Sequence, residues 1–208
     1  MGLPVEVPGL DTILPEVAEG RIVVVESAAD PAKSFFIRRL ALTALKADWT
    51  VTFIISRDRE ELLGLLSREG GPIGIGDDLE IIERDAIDDL AKPATKGGLL
   101  AVDSFSLLTL DMPATGLAAL LRSLRAQCRD RLTTVVLGTD RGMAESRGEA
   151  VVAHLADGVV QFHSREGPEG LVRFLRVPKW TEGRFFDRNI YYEFDGKRLA
   201  MDLRSRVL

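Results

Sequence analysis

Lys33 and Ser34 close the octapeptide Ser27-Ala-Ala-Asp-Pro-Ala-Lys-Ser, which follows the apolar run Ile22 to Val25 and precedes an amphipathic segment. That position, and the Lys-Ser ending, match the phosphate-binding loop pattern G-x-x-x-x-G-K-[ST]. In such a loop, backbone N–H groups and a helix N-terminus wrap the phosphates. The lysine brings a point charge to the outer phosphates, and the hydroxyl helps to hold magnesium. Both glycines of the pattern are absent here, and Ser27 and Ala32 stand in their places. The loop needs positive φ angles and close backbone approach, which glycine allows. Ala32 and Pro31 resist that conformation. Pro31 also removes an N–H donor, and Asp30 puts a negative charge where phosphate would lie. Taken alone, the octapeptide reads more readily as a solvated first helical turn than as a working cradle. Its neighbours shift that weighting.

The first neighbour is Gly98-Leu-Leu-Ala-Val-Asp103-Ser104, an apolar run ending in aspartate. A carboxylate at that place holds magnesium through water or through the loop hydroxyl. Other chemistry-bearing groups are weaker signals. Arg122, Arg125, Arg129 and Arg131 cluster around one helix end, where arginine also simply complements the helix dipole. Trp180, Phe185 and Phe186, with Arg184 and Arg188, suit a subunit contact or core packing equally. Cys128, the single cysteine, reads as a small structural hydrophobe.

The elements that must position these groups alternate. Strand-like runs at Ile22 to Val25, Thr50 to Ile55, Leu79 to Ile82, Leu99 to Val102 and Leu132 to Leu137 are separated by helix-like ones. The helices are predicted over Pro31 to Lys46, Arg59 to Arg68, Gly116 to Arg129 and Gly148 to Leu155. After them, Gly158 to His163, Leu171 to Val177 and Ile190 to Phe194 read as strands with no helix between. Alternation implies an α/β fold, a mostly parallel central sheet flanked by helices. The strand-only tail implies a C-terminal antiparallel extension. No repeat, low-complexity segment or long linker divides the chain, so residues 1–208 are expected to form one domain. The glycine-rich stretch from Gly70 to Gly76 reads as a surface loop.

Bulk properties exclude several classes. With 208 residues there is enough chain for a full core. A net charge of −5 gives no overall pull on nucleic acid or an anionic membrane. One cysteine and two histidines rule out an internal disulfide and a metal centre built from cysteine or histidine clusters. No apolar run approaches a membrane span, no signal peptide is evident, and the expected setting is cytoplasmic.

These pieces together resemble the KaiC-like branch of the RecA superfamily of ATPases, over nearly the whole chain. Val7-Pro8-Gly9-Leu10-Asp11 is similar to the family's opening "PGLD" motif, and Gly20 precedes the first strand as the family has it. Asp103-Ser104 resembles its Walker B end. His154-Leu-Ala-Asp157-Gly158-Val-Val resembles a late "LADGV" segment, and Arg176-Val-Pro-Lys179 the strand that follows it. The resemblance implies a RecA-like fold. It also implies ATP held by Ala32, Lys33 and Ser34, magnesium by Ser34 and Asp103, and side-by-side homo- or hetero-oligomers in which Lys179 faces a neighbour's phosphate.

Departures from the family matter as much. The paired catalytic glutamates expected after the second strand fall on Ser56 and Arg57, and Asp58, one residue further, is the remaining candidate base. The family's Lys-x-Arg element appears as Lys179-Trp-Thr, and its "GGG" stretch as Pro15-Glu-Val. Loop glycines, catalytic carboxylates and trans arginine are altered together. The resulting expectation is a catalytically weak or inactive homologue with a degenerate Walker A loop, acting as a regulatory, scaffolding or assembly subunit, with ATP and magnesium bound at most weakly. The alternatives are an active ATPase with an atypical loop and a nucleic-acid-binding recombinase-like accessory protein. The segment Asp140 to Glu149, where RecA-like proteins often place a DNA-contacting loop, mixes both charges and gives no clear nucleic-acid grip.

Overall fold

The computed structural model describes residues 2–28, 30–56, 58–70, 77–84, 97–167, 170–180 and 186–202. Of the glycine-rich stretch Gly70 to Gly76 expected as a loop, Gly70 ends the helix Arg59–Gly70 and residues 71–76 lie outside the described residues, as do Arg57, Thr181, Arg184 and Phe185. A nine-stranded sheet organises the described chain. Its parallel strands are β3 (Ile22–Ser27), β4 (Val51–Ile55), β5 (Leu79–Glu83), β6 (Leu99–Val102), β7 (Thr134–Asp140) and β8 (Gly158–Gly167). Three antiparallel strands extend it: β9 (Gly170–Lys179), β10 (Phe186–Phe194) and β11 (Leu199–Asp202). The spatial order is β11-β10-β9-β8-β3-β7-β6-β4-β5. A separate two-stranded piece pairs β1 (Leu3–Pro4) with β2 (Glu16–Val17).

The β-branched run in β3 is explained by its place. Strands flank it on both sides, and its side chains alternate between two cores. Val23 and Val25 join the core containing helix α1 (Ala32–Lys46) and α2 (Arg59–Gly70). Ile22 and Val24 join the core containing α3 (Phe105–Leu108), α4 (Ala114–Arg131) and α5 (Ser146–Leu155). Helices therefore cover both faces, as alternation implied. The α1–α2 pair is tied by a two-pronged ion pair of Arg38 with Glu69, whose Arg38 Nη2 to Glu69 Oε1 distance is 2.7 Å.

Most element boundaries agree with the sequence expectation to within a few residues, and two differences have a physical cause. Leu132 is not in β7. It takes φ 56°, a left-handed residue that ends α4 and returns its N–H to the Cys128 carbonyl. The strand then starts at Thr134 and runs on to Asp140. Elements too short to carry a period were missed: β1, β2, α3 and β11.

Asp157, in the LADGV-like segment, stitches the lower edge of the sheet. It accepts the Ile22 N–H at 3.0 Å and a 2.5 Å hydrogen bond from Arg125, with Arg21 at 3.8 Å. That gives Arg125 a structural role within the arginine cluster. Gly158 beside it leaves room for the buried Trp180 ring, 3.0 Å from where a Cβ would stand. Cys128 is buried, and burial foremost, with Asp157 next, pushes its thiol up to about 12, in keeping with a structural hydrophobe. No helix among the described residues is long and apolar enough to cross a membrane.

One glycine in β7 controls the approach of α1 to the sheet. A Cβ on Gly138 would lie 2.8 Å from Ile37 Cδ1, 3.2 Å from Asp103 Oδ1 and 3.4 Å from the Val102 carbonyl. Gly138→Ala is therefore expected to lower stability by about 1–3 kcal/mol through overpacking. Urea unfolding monitored by circular dichroism checks it, and an unchanged midpoint would contradict the close approach.

Candidate functional site

Parallel α/β sheets present their functional groups at the carboxyl ends of the strands. Here β3, β7 and β6 stand side by side, with β7 in the middle. Register sets Ser27 opposite Asp140 and Val102 opposite Leu137. The end of β3, the end of β7 and Asp103 just past β6 therefore meet at one edge, under the first turn of α1. Ser104, with φ 65°, turns the chain sharply from Asp103 into α3.

The octapeptide closes on itself. Pro31 sits at φ −66°, ψ −15°, already helical, and opens α1 as its missing N–H allows. Asp30 folds its carboxylate over the helix start, where Oδ1 accepts the Ala32 N–H at 2.9 Å. The buried Ser27 hydroxyl accepts the Asp30 N–H at 3.3 Å. The Asp30 carbonyl accepts the Lys33 N–H at 3.2 Å, and the Pro31 carbonyl the Phe35 N–H at 3.2 Å. Ala29 lies outside the described residues. The charge that a helix N-terminus attracts is thus supplied by the chain's own carboxylate.

Lys33 is turned to a second carboxylate. Its Nζ lies 2.6 Å from Asp140 Oδ1, with the Lys33 side chain only 5% exposed and that of Asp140 22% exposed. The Asp140 N–H donates to Ser106 Oγ at 3.0 Å, fixing the strand end. Ser34 donates its hydroxyl to Asp103 Oδ1 at 3.1 Å, and Asp103 is itself buried. Asp103 is anchored by its N–H to the Ile54 carbonyl, 3.2 Å away.

Ala32, Lys33, Ser34 and Asp103 are thus brought together, while Asp58 follows the carboxyl end of β4, beside β6, and Lys179 lies at the opposite edge. Asp58 uses its carboxylate on the first turn of α2, accepting the Glu60 N–H at 2.8 Å, while Glu83 accepts the Arg59 N–H at 2.9 Å. Lys179 ends β9 at the opposite edge of the sheet, where Nζ donates to the His154 carbonyl at 2.8 Å. Burial foremost lowers its pKa, against the pull of Asp157. Its expected role concerned a neighbouring subunit, and its position within one chain does not bear on that.

Residues beyond the sequence reading complete the site. Asp140 was read only as the start of a mixed-charge loop. Its place follows only from the strand order, which sets the strand ending in Thr139-Asp140 next to the strand that leads into Asp103. Tyr192 and Arg173 come from β10 and β9 to the free side of Asp30. Tyr192 donates its hydroxyl to Asp30 Oδ2 at 2.7 Å, and Arg173 Nε lies 3.7 Å from the same oxygen. Nothing local in the sequence announces a contact spanning so much of the chain. Beside this cluster, Glu26 accepts a 2.5 Å hydrogen bond from Gln161, and Arg141 donates to His163 Nδ1 at 3.3 Å. Burial first, then Arg141 and Arg176, lower the His163 pKa, and its ring stacks on that of Phe174, 4.9 Å away.

Comparison with known proteins adds the fold. No family model matches the chain, and no curated protein matches it in sequence. Solved structures do match. The flagellar accessory protein FlaH from Methanocaldococcus jannaschii superposes with a TM-score of 0.80 at 14% identity, covering 97% of this chain and 98% of that one. The KaiC-like protein PH0186 from Pyrococcus horikoshii gives a TM-score of 0.78 at 16% identity, covering 97% and 99%. This likeness shows that the chain shares the fold of these two structures over nearly its whole length.

Proposed function

We propose that this chain is a KaiC-like subunit that has given up efficient nucleotide hydrolysis and acts through assembly, as a regulatory or scaffolding member of a homo- or hetero-oligomer. The observation that supports this most is the buried Lys33–Asp140 ion pair. A triphosphate would have to take Lys33 from Asp140 and the α1 N-terminus from Asp30, against two fixed negative charges. Catalysis of phosphoryl transfer depends on preorganised positioning and charge stabilisation. In this arrangement the groups that would supply it are spent on one another. Asp58, the remaining candidate base, serves α2 instead. The side-by-side contacts of RecA-like assemblies, with Lys179 toward a neighbour, are the proposed route of assembly.

A second reading draws on one pair. Ser34 and Asp103, 3.1 Å apart, have the donor chemistry that suits magnesium, an oxygen-seeking ion. Among the described residues no group of three or more His, Cys, Asp or Glu could hold a metal ion. Magnesium there would therefore need phosphate oxygens and water to complete its shell. The metal half of a MgATP site fits these residues and the phosphate half does not, so an ATPase with an atypical loop is the competing reading. Nucleic acid is a weaker candidate still, because the chain carries a net charge of −5 and Arg125 is tied to Asp157.

Two experiments test the proposal. Calorimetry with MgATP on the intact chain is expected to show no saturable heat, and phosphate release should not exceed that of Lys33→Ala. Turnover that disappears in Lys33→Ala would overturn the proposal in favour of the ATPase. Stability gives an independent check, because a structural ion pair leaves an asymmetric signature. Asp140→Ala strands a buried ammonium and should cost about 3–5 kcal/mol, whereas Lys33→Met leaves a partly solvated carboxylate and should cost about 1 kcal/mol. Denaturant unfolding of both variants reads the difference. Equal small losses would mean that Lys33 is free to serve a ligand.

A further inference from the structure

The closed loop is held from the far end of the chain. Tyr192 and Asp30 are both 5% exposed, and the tyrosine hydroxyl meets the carboxylate at 2.7 Å. The Tyr192 ring is itself braced edge-on against Phe162, with centroids 5.4 Å apart and planes at 78°. Phe162 in turn packs on Phe36 of α1, at 5.8 Å. Burial first, and the hydrogen bond to Asp30 next, push the tyrosine pKa far upward, so the group remains a donor throughout the usual pH range. Arg173 Nε lies 3.7 Å from the same Asp30 oxygen and is buried, with no hydrogen-bond partner of its own. Its guanidinium, on a side chain that is 29% exposed, forms an ion pair with Asp30 without a hydrogen bond.

We infer that this contact is autoinhibitory: Tyr192 and Arg173, carried by the antiparallel extension, hold the Asp30 carboxylate over the first turn of α1 and so keep a position suited to a phosphate oxyanion closed. Asp30 occupies the Ala32 N–H that such an anion would use, and it neutralises Arg173. Removing the Asp30 charge leaves the Ala32 N–H and Arg173 without their carboxylate partner. The closure is also coupled to the seating of β10. An anion that displaces Asp30 must break its bond to Tyr192, and loosening β10 must in turn ease anion entry, because coupling between two sites is reciprocal. The inference rests on the proposed function only in taking the wild-type loop as closed to nucleotide.

The test uses magnesium-free inorganic pyrophosphate, titrated calorimetrically into the intact chain and three variants. Wild type is expected to give no saturable signal at millimolar ligand. Asp30→Ala and Asp30→Asn should bind at least about tenfold more tightly than wild type, and Tyr192→Phe should show a smaller gain in the same direction. Asp30→Asn matters because it keeps the size of the side chain and its capacity to bond Ala32 and Tyr192 while removing the charge. It carries the test if Asp30→Ala fails to fold. Folded Asp30 variants that bind pyrophosphate no better than wild type would overturn the inference, as would a wild type that binds as tightly as they do. The two accounts fail separately. Wild-type hydrolysis of MgATP sinks the proposed function, whereas Asp30 variants indifferent to pyrophosphate beside an inert wild type sink only the latch.

Discussion

A lysine ammonium that is almost wholly removed from water needs a counter-charge within reach, because an unpaired buried charge costs several kcal/mol. In a nucleotide-binding loop the phosphates supply it. Here Asp140 does, at 2.6 Å. Much of the neighbouring architecture serves that pairing. β7 lies directly beside β3, so that Asp140 ends level with Ser27. Gly138 is small enough for Ile37 of α1 to seat against the sheet, which brings Lys33 over the end of β7. The Ser106 hydroxyl pins the Asp140 backbone. Two further carboxylates follow the same logic, with Asp30 on the helix start and Asp103 on Ser34. The Ala32 N–H, the Lys33 ammonium and the Ser34 hydroxyl, which the loop would offer a ligand, each have an internal partner.

Fold and activity are separate questions for this chain. The chain matches FlaH and a KaiC-like protein over nearly its full length at TM-scores of 0.80 and 0.78, yet at 14% and 16% identity. Likeness at that level concerns architecture, and function has to be argued from the site. The departures from the phosphate-loop pattern are mutually consistent. Where the first glycine would stand, Ser27 binds the Asp30 backbone. At the second glycine position, Ala32 is helical and gives its N–H to Asp30. Pro31 fixes the turn between them. These substitutions build a capped helix in place of an open cradle.

Most of the fold was legible in the sequence because periodicity carries it. The β-branched run of β3, the apolar spacing of α1 and α4, and the change to strands after α5 each state one element clearly. Elements without room for a period, such as α3 and the two-residue strands, left no such trace. Leu132 shows a different limit. It is apolar and continues an apolar run, but chain geometry makes it the left-handed end of α4. For the site, Lys33, Ser34 and Asp103 were legible from type and position, since each lies within a few residues of a recognisable strand end. Asp140 became meaningful only with the strand order, and Tyr192 and Arg173 only with the antiparallel register, because neither contact is encoded in any local window.

The most direct test of the account follows backbone amides at the loop. A nitrogen–proton correlation spectrum of the labelled chain, titrated with excess MgATP, reports on the Ala32, Lys33 and Ser34 N–H groups individually. If Asp30 and Asp140 already satisfy the helix start and the lysine, those signals stay in place as nucleotide is added. Saturable shifts at these three residues would show that the position accepts phosphate, and would contradict the account.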